Sequence, residues 1–244
     1  SKEDVLLMFP SSNIVVIDPI DRGRNVASAL SNRNLAKFIS ACKRFLERPK
    51  LEFFYPFSEK AKEEYLSKID EISVRELPIL AIRVFHGEKI EDIYYSQLEK
   101  LAKKIAIQLK EREIKVLKYG VYSDFREKSV ILYLLSSKSA PLFFKRKGPM
   151  VYLTKEYDFL EKNRNKLMWI GDDLRWHVIE KYEHVDVREY VKDLLTKKTI
   201  KIPSEVEKDL IEVSYIDELS ESELDGIKKW LSSFLIGDEY WRMF

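Results

Sequence analysis

Ile79-Leu-Ala-Ile-Arg-Val-Phe85, followed by His86-Gly87, reads as a strand and the break that ends it. Working outward, Leu98, Leu101, Ala102, Ile105 and Leu109 recur at intervals of three and four, which predicts a long helix over Asp92 to Glu113. Ile114-Lys-Val-Leu117 opens a second strand running through Tyr122, and the turn Asp124 to Lys128 leads into a third from Ser129 to Leu135. Ala140 to Leu153 reads as a strand pair or an irregular extension, Glu156 to Asn165 as a helix, and Leu174 to Tyr182 as an alternating strand. The resulting order of strand, helix, strand, strand, helix, strand is the ferredoxin-like βαββαβ order shared with RNA-recognition modules, so the fold expected is α+β.

Upstream, Ile14-Val-Val-Ile-Asp-Pro-Ile-Asp-Arg-Gly-Arg-Asn-Val-Ala27 reads as strand and turn, with Asp18-Pro19 ending the pairing and Asp21 to Gly23 supplying turn chemistry. A helix follows from Ser31 to Arg48, carrying Leu35, Phe38, Ile39, Cys42 and Phe45 at helical spacing and stopped by Pro49. Leu51 to Phe57 is an aromatic connector, and a charged helix from about Glu59 to Ile69 leads to Pro78. Downstream, helices are expected at Val187 to Lys197, Pro203 to Ile211 and Ser220 to Leu235. Three regions result: 1–77, the end of a strand-helix domain and the start of the next; 78–185, the RRM-like module; and 186–244, a helical segment packed on it.

The composition is that of a folded chain, 45% apolar and 34% charged over 244 residues. The net charge of +2 hides an asymmetry. From Asp92 to Lys147 there are thirteen Lys and Arg against six Asp and Glu, whereas from Ser204 to Phe244 there are four against eleven. The first segment suits a polyanion; the second suits packing on the protein's own back or on a sister chain. One cysteine, Cys42, permits no internal disulfide and points to a buried small hydrophobe in reducing cytoplasm. No run approaches the ~18 apolar residues of a membrane span, and the opening Ser-Lys-Glu-Asp, lacking Met, is expected of a chain processed or cut from something longer.

Few residues can carry bond chemistry. The three histidines, His86, His177 and His184, have no Gly-x-Ser-x-Gly beside them, and with one cysteine they make no zinc set. Asp172-Asp173 reads as a surface turn, Glu205, Glu207 and Asp209 as acidic residues at a helix start, and no phosphate-binding glycine loop is present. The basic candidates are stronger. Gln97, Lys100 and Lys104 share a helix face turned from the apolar stripe, with Lys103 and Lys110 farther round. Lys145-Arg146-Lys147 before Gly-Pro forms a short basic loop, with Phe143 and Phe144 expected to be buried.

Together, Ile14 to Leu30, Asn34-Leu-Ala-Lys-Phe, Phe45-Leu-Glu, Tyr95-Ser-Gln-Leu-Glu-Lys-Leu, Phe144-Lys-Arg-Lys-Gly-Pro, Asn163-Arg-Asn and Leu174-Arg-Trp176 closely resemble the archaeal, class I CCA-adding enzymes. These tRNA nucleotidyltransferases build or repair the 3′-terminal CCA of tRNA without a nucleic-acid template. The resemblance extends to about Lys197 and weakens beyond. Members carry a catalytic head in which a Gly-Ser pair precedes a strand bearing two carboxylates, with a third farther on, and these hold Mg²⁺ for transfer from CTP or ATP. No Gly is followed by Ser here. The resemblance therefore implies a C-terminal portion with no catalytic residue and no metal ligand of its own, whose partners are tRNA and the catalytic head.

The resemblance also implies roles. Arg24 orients the incoming nucleotide, with Asn25 fixing its turn. Gln97, Lys100 and Lys104 lie along the acceptor and TΨC arm, and Lys145, Arg146 and Lys147 form a further basic contact. Two alternatives stand beside it, a free-standing RNA-binding module and an assembly domain whose acidic helices form a homodimer; neither involves a membrane.

Overall fold

The computed structural model describes residues 2–10, 14–28, 30–55, 58, 64, 74–182, 185–237, 239 and 241. The chain divides into two compact units, Ser1–Lys62 with Ile236–Phe244, and Glu63–Leu235. All of the expected helix from Glu59 to Ile69 except Glu64, and the residue His184, lie outside the described residues.

The larger unit is built on the strand from which the reading began. β1 (Ile79–Phe85) is apolar almost throughout because it is buried on both faces. It lies inside a sheet ordered β2 (Val116–Ser123), β3 (Lys128–Leu135), β1, β7 (Leu210–Tyr215), in which every pairing is antiparallel. Ile82 faces Ile131 on one side and Val213 on the other. On one face, Leu80, Ile82 and Val84 meet Leu98, Leu101, Ile105 and Leu109 of α3 (Glu91–Glu111), with Val187, Val191 and Leu194 of α5 (Val187–Thr196) in the same core. The other face, Ile79, Ala81, Val130 and Leu132, is covered by Ile227 and by Trp230, Leu231 and Phe234 of the last helix, α8 (Lys228–Ile236). Each large side chain buried this way contributes ~1.5–3 kcal/mol, which makes both coverings integral to the unit.

This arrangement corrects the expected module. Strand 174–182 and the helix before it are absent from the four-stranded sheet; β7 and α5 take their places. The βαββαβ order appears once residues 138–186 are taken out as an insertion. That insertion forms its own sheet, β4 (Phe143–Met150), β6 (Arg175–Lys181) and β5 (Met168–Ile170) in that order, with α4 (Glu156–Asn163) against it. Its two ends are stapled side by side: Ala140 N–H donates to Val185 O, Val187 N–H to Lys138 O, and the Tyr215 hydroxyl to both Lys138 O and Asp186 Oδ1.

Two further expectations change. The segment 186–244 is not wholly helical. The helix expected from Pro203 stops after α6 (Ser204–Glu207), because Ile211, Val213 and Tyr215 alternate with polar residues and pair with β1. With α8 on one face and α3 and α5 on the other, the four-stranded sheet offers no open face of the kind an RNA-recognition module uses. The last expected helix is two, α7 (Glu221–Asp225), capped by Ser220, and α8.

Several carboxylates of the acidic tail are paired within the unit. Arg83 bonds Glu212 at 2.8 Å and Glu223 at 2.7 Å, Lys138 pairs with Asp217, Arg188 with Glu218, and Lys89 with Asp209.

In the smaller unit, α1 (Lys2–Met8) precedes a turn, and α2 (Asn32–Glu47) opens on Ser31, whose side chain accepts from Asn34 N–H. The strand expected at Ile14 to Ile17 is a single antiparallel bridge between Ile17 and Asn25. Phe45 meets Phe53 and Phe54 edge to face at 5.5 and 5.4 Å, but Phe38 and Ile39 are exposed and Cys42 is only half-buried, against expectation. No helix among the described residues is long and apolar enough to cross a membrane.

Candidate nucleic-acid interface

Asn25 is the keystone of the first site. It is 4% exposed; its Oδ1 accepts from Val16 N–H at 2.9 Å and Ala27 N–H at 3.0 Å, while Nδ2 donates to Ile14 O at 3.1 Å. The amide thereby satisfies backbone groups that this short turn leaves without a ladder partner. Asp18 and Asp21 complete it, accepting from Ile20 N–H and Gly23 N–H. The backbone of Arg24 is held in this frame, with its N–H donating to Asp21 O. Its side chain is 69% exposed, with Nη1 3.9 Å from Asp18 Oδ2. So loose an exposed pair is worth at most ~1 kcal/mol and leaves the guanidinium fork available to a phosphate.

The second site lies on α3, and its three named residues are not equivalent. Lys100 is exposed and Gln97 half-buried, while Lys104 is half-buried with Nζ donating to Lys201 O at 2.7 Å. Lys104 is thus tethered to the chain beyond α5. Lys103 is exposed on the next position round.

The basic triplet is on strand β4 rather than in a loop, and the alternation of the strand divides it. Lys145 and Lys147 are exposed on one face. Arg146 points to the other, where Nε donates to Glu180 Oε1 at 2.8 Å and Nη2 to Asn163 Oδ1 at 3.0 Å, above the Phe159 ring at 5.3 Å. Burial alone would raise the Glu180 carboxyl, but hydrogen bonds from Lys166 and Arg146 outweigh it and hold that group below its ordinary value. Arg146 is therefore spent on joining β4, β6 and α4. The same alternation divides the two phenylalanines: Phe144 is buried, 4.7 Å from Tyr182 and 4.2 Å from the Arg112 guanidinium, whereas Phe143 is 53% exposed.

The two histidines among the described residues, His86 and His177, are engaged in local hydrogen bonds. His86 Nε2 reaches Ser129 Oγ at 2.7 Å and Ser129 reaches Ser123 at 2.6 Å, but Ser129 is fully buried. Asp173 is engaged by His177 at 2.8 Å, a hydrogen bond that lowers its carboxyl below the ordinary value. Among the described residues, no three of His, Cys, Asp and Glu come together as a metal site.

Sequence reasoning passed over Trp169 and Lys181, which share the face of Lys145 and Lys147. The signal was the register of short strands, which becomes visible once β5 is placed beside β6.

Residues 75–216, more than half of the chain, match the family described as CCA-adding enzyme, C-terminal domain. The chain belongs to the CCA-adding enzyme family. Residues 2–55 match the tRNA nucleotidyltransferase second domain. The C-terminal-domain match begins just before β1 and ends just past β7, so it embraces the strand that joins the sheet from afar. The CCA-adding enzyme of Saccharolobus shibatae is 31% identical over 191 residues, covering 78% of this chain and 42% of that protein. That of Sulfolobus acidocaldarius is 31% identical over 182 residues, covering 74% and 40%. That of Methanococcus maripaludis is 40% identical over 125 residues, covering 50% and 26%. The chain thus spans about two fifths of the length of the first two CCA-adding enzymes.

Proposed function

We propose that this chain is the tRNA-gripping C-terminal portion of a cytoplasmic enzyme that adds or repairs the 3′-terminal CCA of tRNA from CTP and ATP. The observation that carries this reading is a division among the cations. Arg83, Lys89, Arg146 and Arg188 are engaged by carboxylates. Lys100, Lys103, Lys145 and Lys147 are exposed and enter no ion pair among the described residues, so their charge faces solvent. Unpaired ammonium groups on two surfaces of a family whose relatives are named for adding CCA suit the phosphates of a folded RNA. An enzyme that serves every tRNA must read shape and backbone rather than sequence.

In the same reading Arg24 orients the triphosphate of the incoming nucleotide from a turn that Asn25 makes rigid. The Mg²⁺ such transfer uses is not matched by the carboxylates described here, so no step is assigned to it in this chain. Nucleotidyl transfer belongs to a catalytic head, seated against the apolar side chains that α2 leaves exposed, Phe38, Ile39 and Leu46. The test is direct: the purified chain binds a tRNA transcript with an affinity that falls steeply with salt, and incorporates neither CTP nor ATP. Salt-independent binding would sink the phosphate-grip reading, and robust incorporation would sink the assignment of catalysis elsewhere.

A further inference from the structure

The insertion's sheet has one covered face and one open face. On the covered side α4 is fastened by Trp176 Nε1 donating to Glu156 Oε1 at 2.7 Å and by the Arg146 bond to Asn163, while Gly148 makes room for the Phe159 ring. On the open side the register assembles side chains from all three strands. Lys147 and Trp169 both lie opposite His177, and Phe143 lies opposite Lys181, so these five share a face. Lys145 stands between Phe143 and Lys147 on the same side, ~7 Å from each along the strand. Trp169 is 40% exposed, and Lys145, Lys147 and Lys181 are exposed.

Resting on the tRNA-binding reading above, we propose that this open face is a base-stacking platform. Trp169 and Phe143 take the flat faces of exposed RNA bases, and Lys145, Lys147 and Lys181 hold the flanking phosphates. Trp169 is set for this role. Its inner face stacks on His177, with ring centroids 5.4 Å apart and planes 29° from parallel. His177 is itself more than nine-tenths buried and pinned through Nε2 to Asp173 at 2.8 Å, while its Nδ1 has no hydrogen-bond partner among the described residues. Gly171 leaves the space that this ring needs: a Cβ there would stand 2.5 Å from Nε2. One indole face is thus occupied from below, and the platform above loses little freedom when a base settles on it.

The charge pattern selects the occupant. Three lysines rim the aromatics, and the nearby carboxylate, Asp173, is engaged by His177. An apolar protein partner would have to desolvate three ammonium groups, whereas RNA brings flat apolar units and negative charge together.

Tryptophan fluorescence during titration with a tRNA transcript, together with anisotropy-based affinities for variants, tests this. Wild-type emission is expected to be quenched on binding, with the quench much reduced in Trp169→Phe. Trp169→Ala is expected to weaken binding about five- to a hundred-fold, and Trp169→Phe to restore most of it. Phe143→Ala removes an exposed ring, so it provides a weakened variant even if Trp169→Ala fails to fold. If wild type binds tRNA in a salt-dependent way but Trp169→Ala and Phe143→Ala bind equally well, the platform is wrong and the tRNA-binding reading stands. If wild type shows no salt-dependent binding, both fall. If light scattering shows that Trp169→Ala splits a dimer without altering tRNA affinity, the face belongs to a second copy of this chain and the proposal is overturned.

Discussion

The Tyr94 hydroxyl donates to Asp209 Oδ2 at 2.7 Å, tying the first turn of α3 to the entrance of β7 across most of the larger unit's sequence. Lys89 completes the contact, its Nζ 3.0 Å from Asp209 Oδ1 and 4.9 Å from the centre of the Tyr94 ring. Burial, and then the hydrogen bond to Asp209, push the Tyr94 phenol well above its ordinary value, so it remains a donor throughout the working pH range.

Asp209→Ala leaves the Tyr94 hydroxyl without its acceptor and a largely buried ammonium with its counter-charge gone and only Glu205 O, at 3.2 Å, to accept from it. It is expected to destabilise the chain by about 2–4 kcal/mol in urea unfolding, while Tyr94→Phe costs about 1 kcal/mol. A loss below half a kcal/mol for Asp209→Ala would mean that β7 is held without this anchor.

Glu223 gives a pH dependence of definite sign. Hydrogen bonds from the Ser220 hydroxyl and backbone, then from Arg83, hold its carboxyl at about 2, against an ordinary 4.5. A lowered carboxyl contributes stability that is present above its unfolded value and is lost as pH falls toward the folded one. Thermal midpoints are expected to decline between about pH 4.5 and 2, and less steeply in Glu223→Gln, which cannot titrate. Identical pH profiles for the two proteins would count against the assignment.

On α3, Lys100→Glu is expected to weaken tRNA binding several-fold, reducing the salt slope by about one counterion or slightly less per lost phosphate contact. Lys104→Ala acts less, because its ammonium is already committed to Lys201 O. Lys208→Glu, an exposed change beyond the basic segment, serves as the reference. Equal effects of Lys100→Glu and Lys208→Glu would remove α3 from the interface.

The division of the basic triplet predicts two separable phenotypes. Lys147→Ala should lower tRNA affinity and its salt slope while leaving the thermal midpoint unchanged. Arg146→Ala leaves Glu180 with Lys166 as its remaining donor and removes the guanidinium from Asn163 Oδ1, and is expected to cost about 1.5–3 kcal/mol of stability. Matching losses of stability in both variants would overturn the assignment of the two side chains to opposite faces.

Much of the fold was legible because its signals are local. Ile79–Phe85 is a strand where expected, and α2 and α3 lie within two residues of their expected bounds, since the spacing of apolar residues follows the period of the element that carries them. The turn at Arg24 was equally readable. Asp, Gly and Asn impose their geometry through hydrogen bonds to neighbouring backbone, and Asn25 does so in the fold.

The partners of those elements were decided in three dimensions. Strand 174–182 and strand 210–215 both pair by backbone hydrogen bonds that are indifferent to side-chain identity, so their patterns could not say which one lies beside Ile82; the stapled ends of 138–186 and the Asp209 anchor decide it. The same holds for function. A run of three cations is visible in the sequence, but only β4's register against β6 and β5 spends Arg146 on the interior and brings Lys145, Lys147 and Trp169 to one surface. The sequence alone determined which residues are charged and which are apolar. The tertiary structure determined which of those charges remain unpaired, because neutralisation depends on elements far apart in the chain meeting within hydrogen-bond distance.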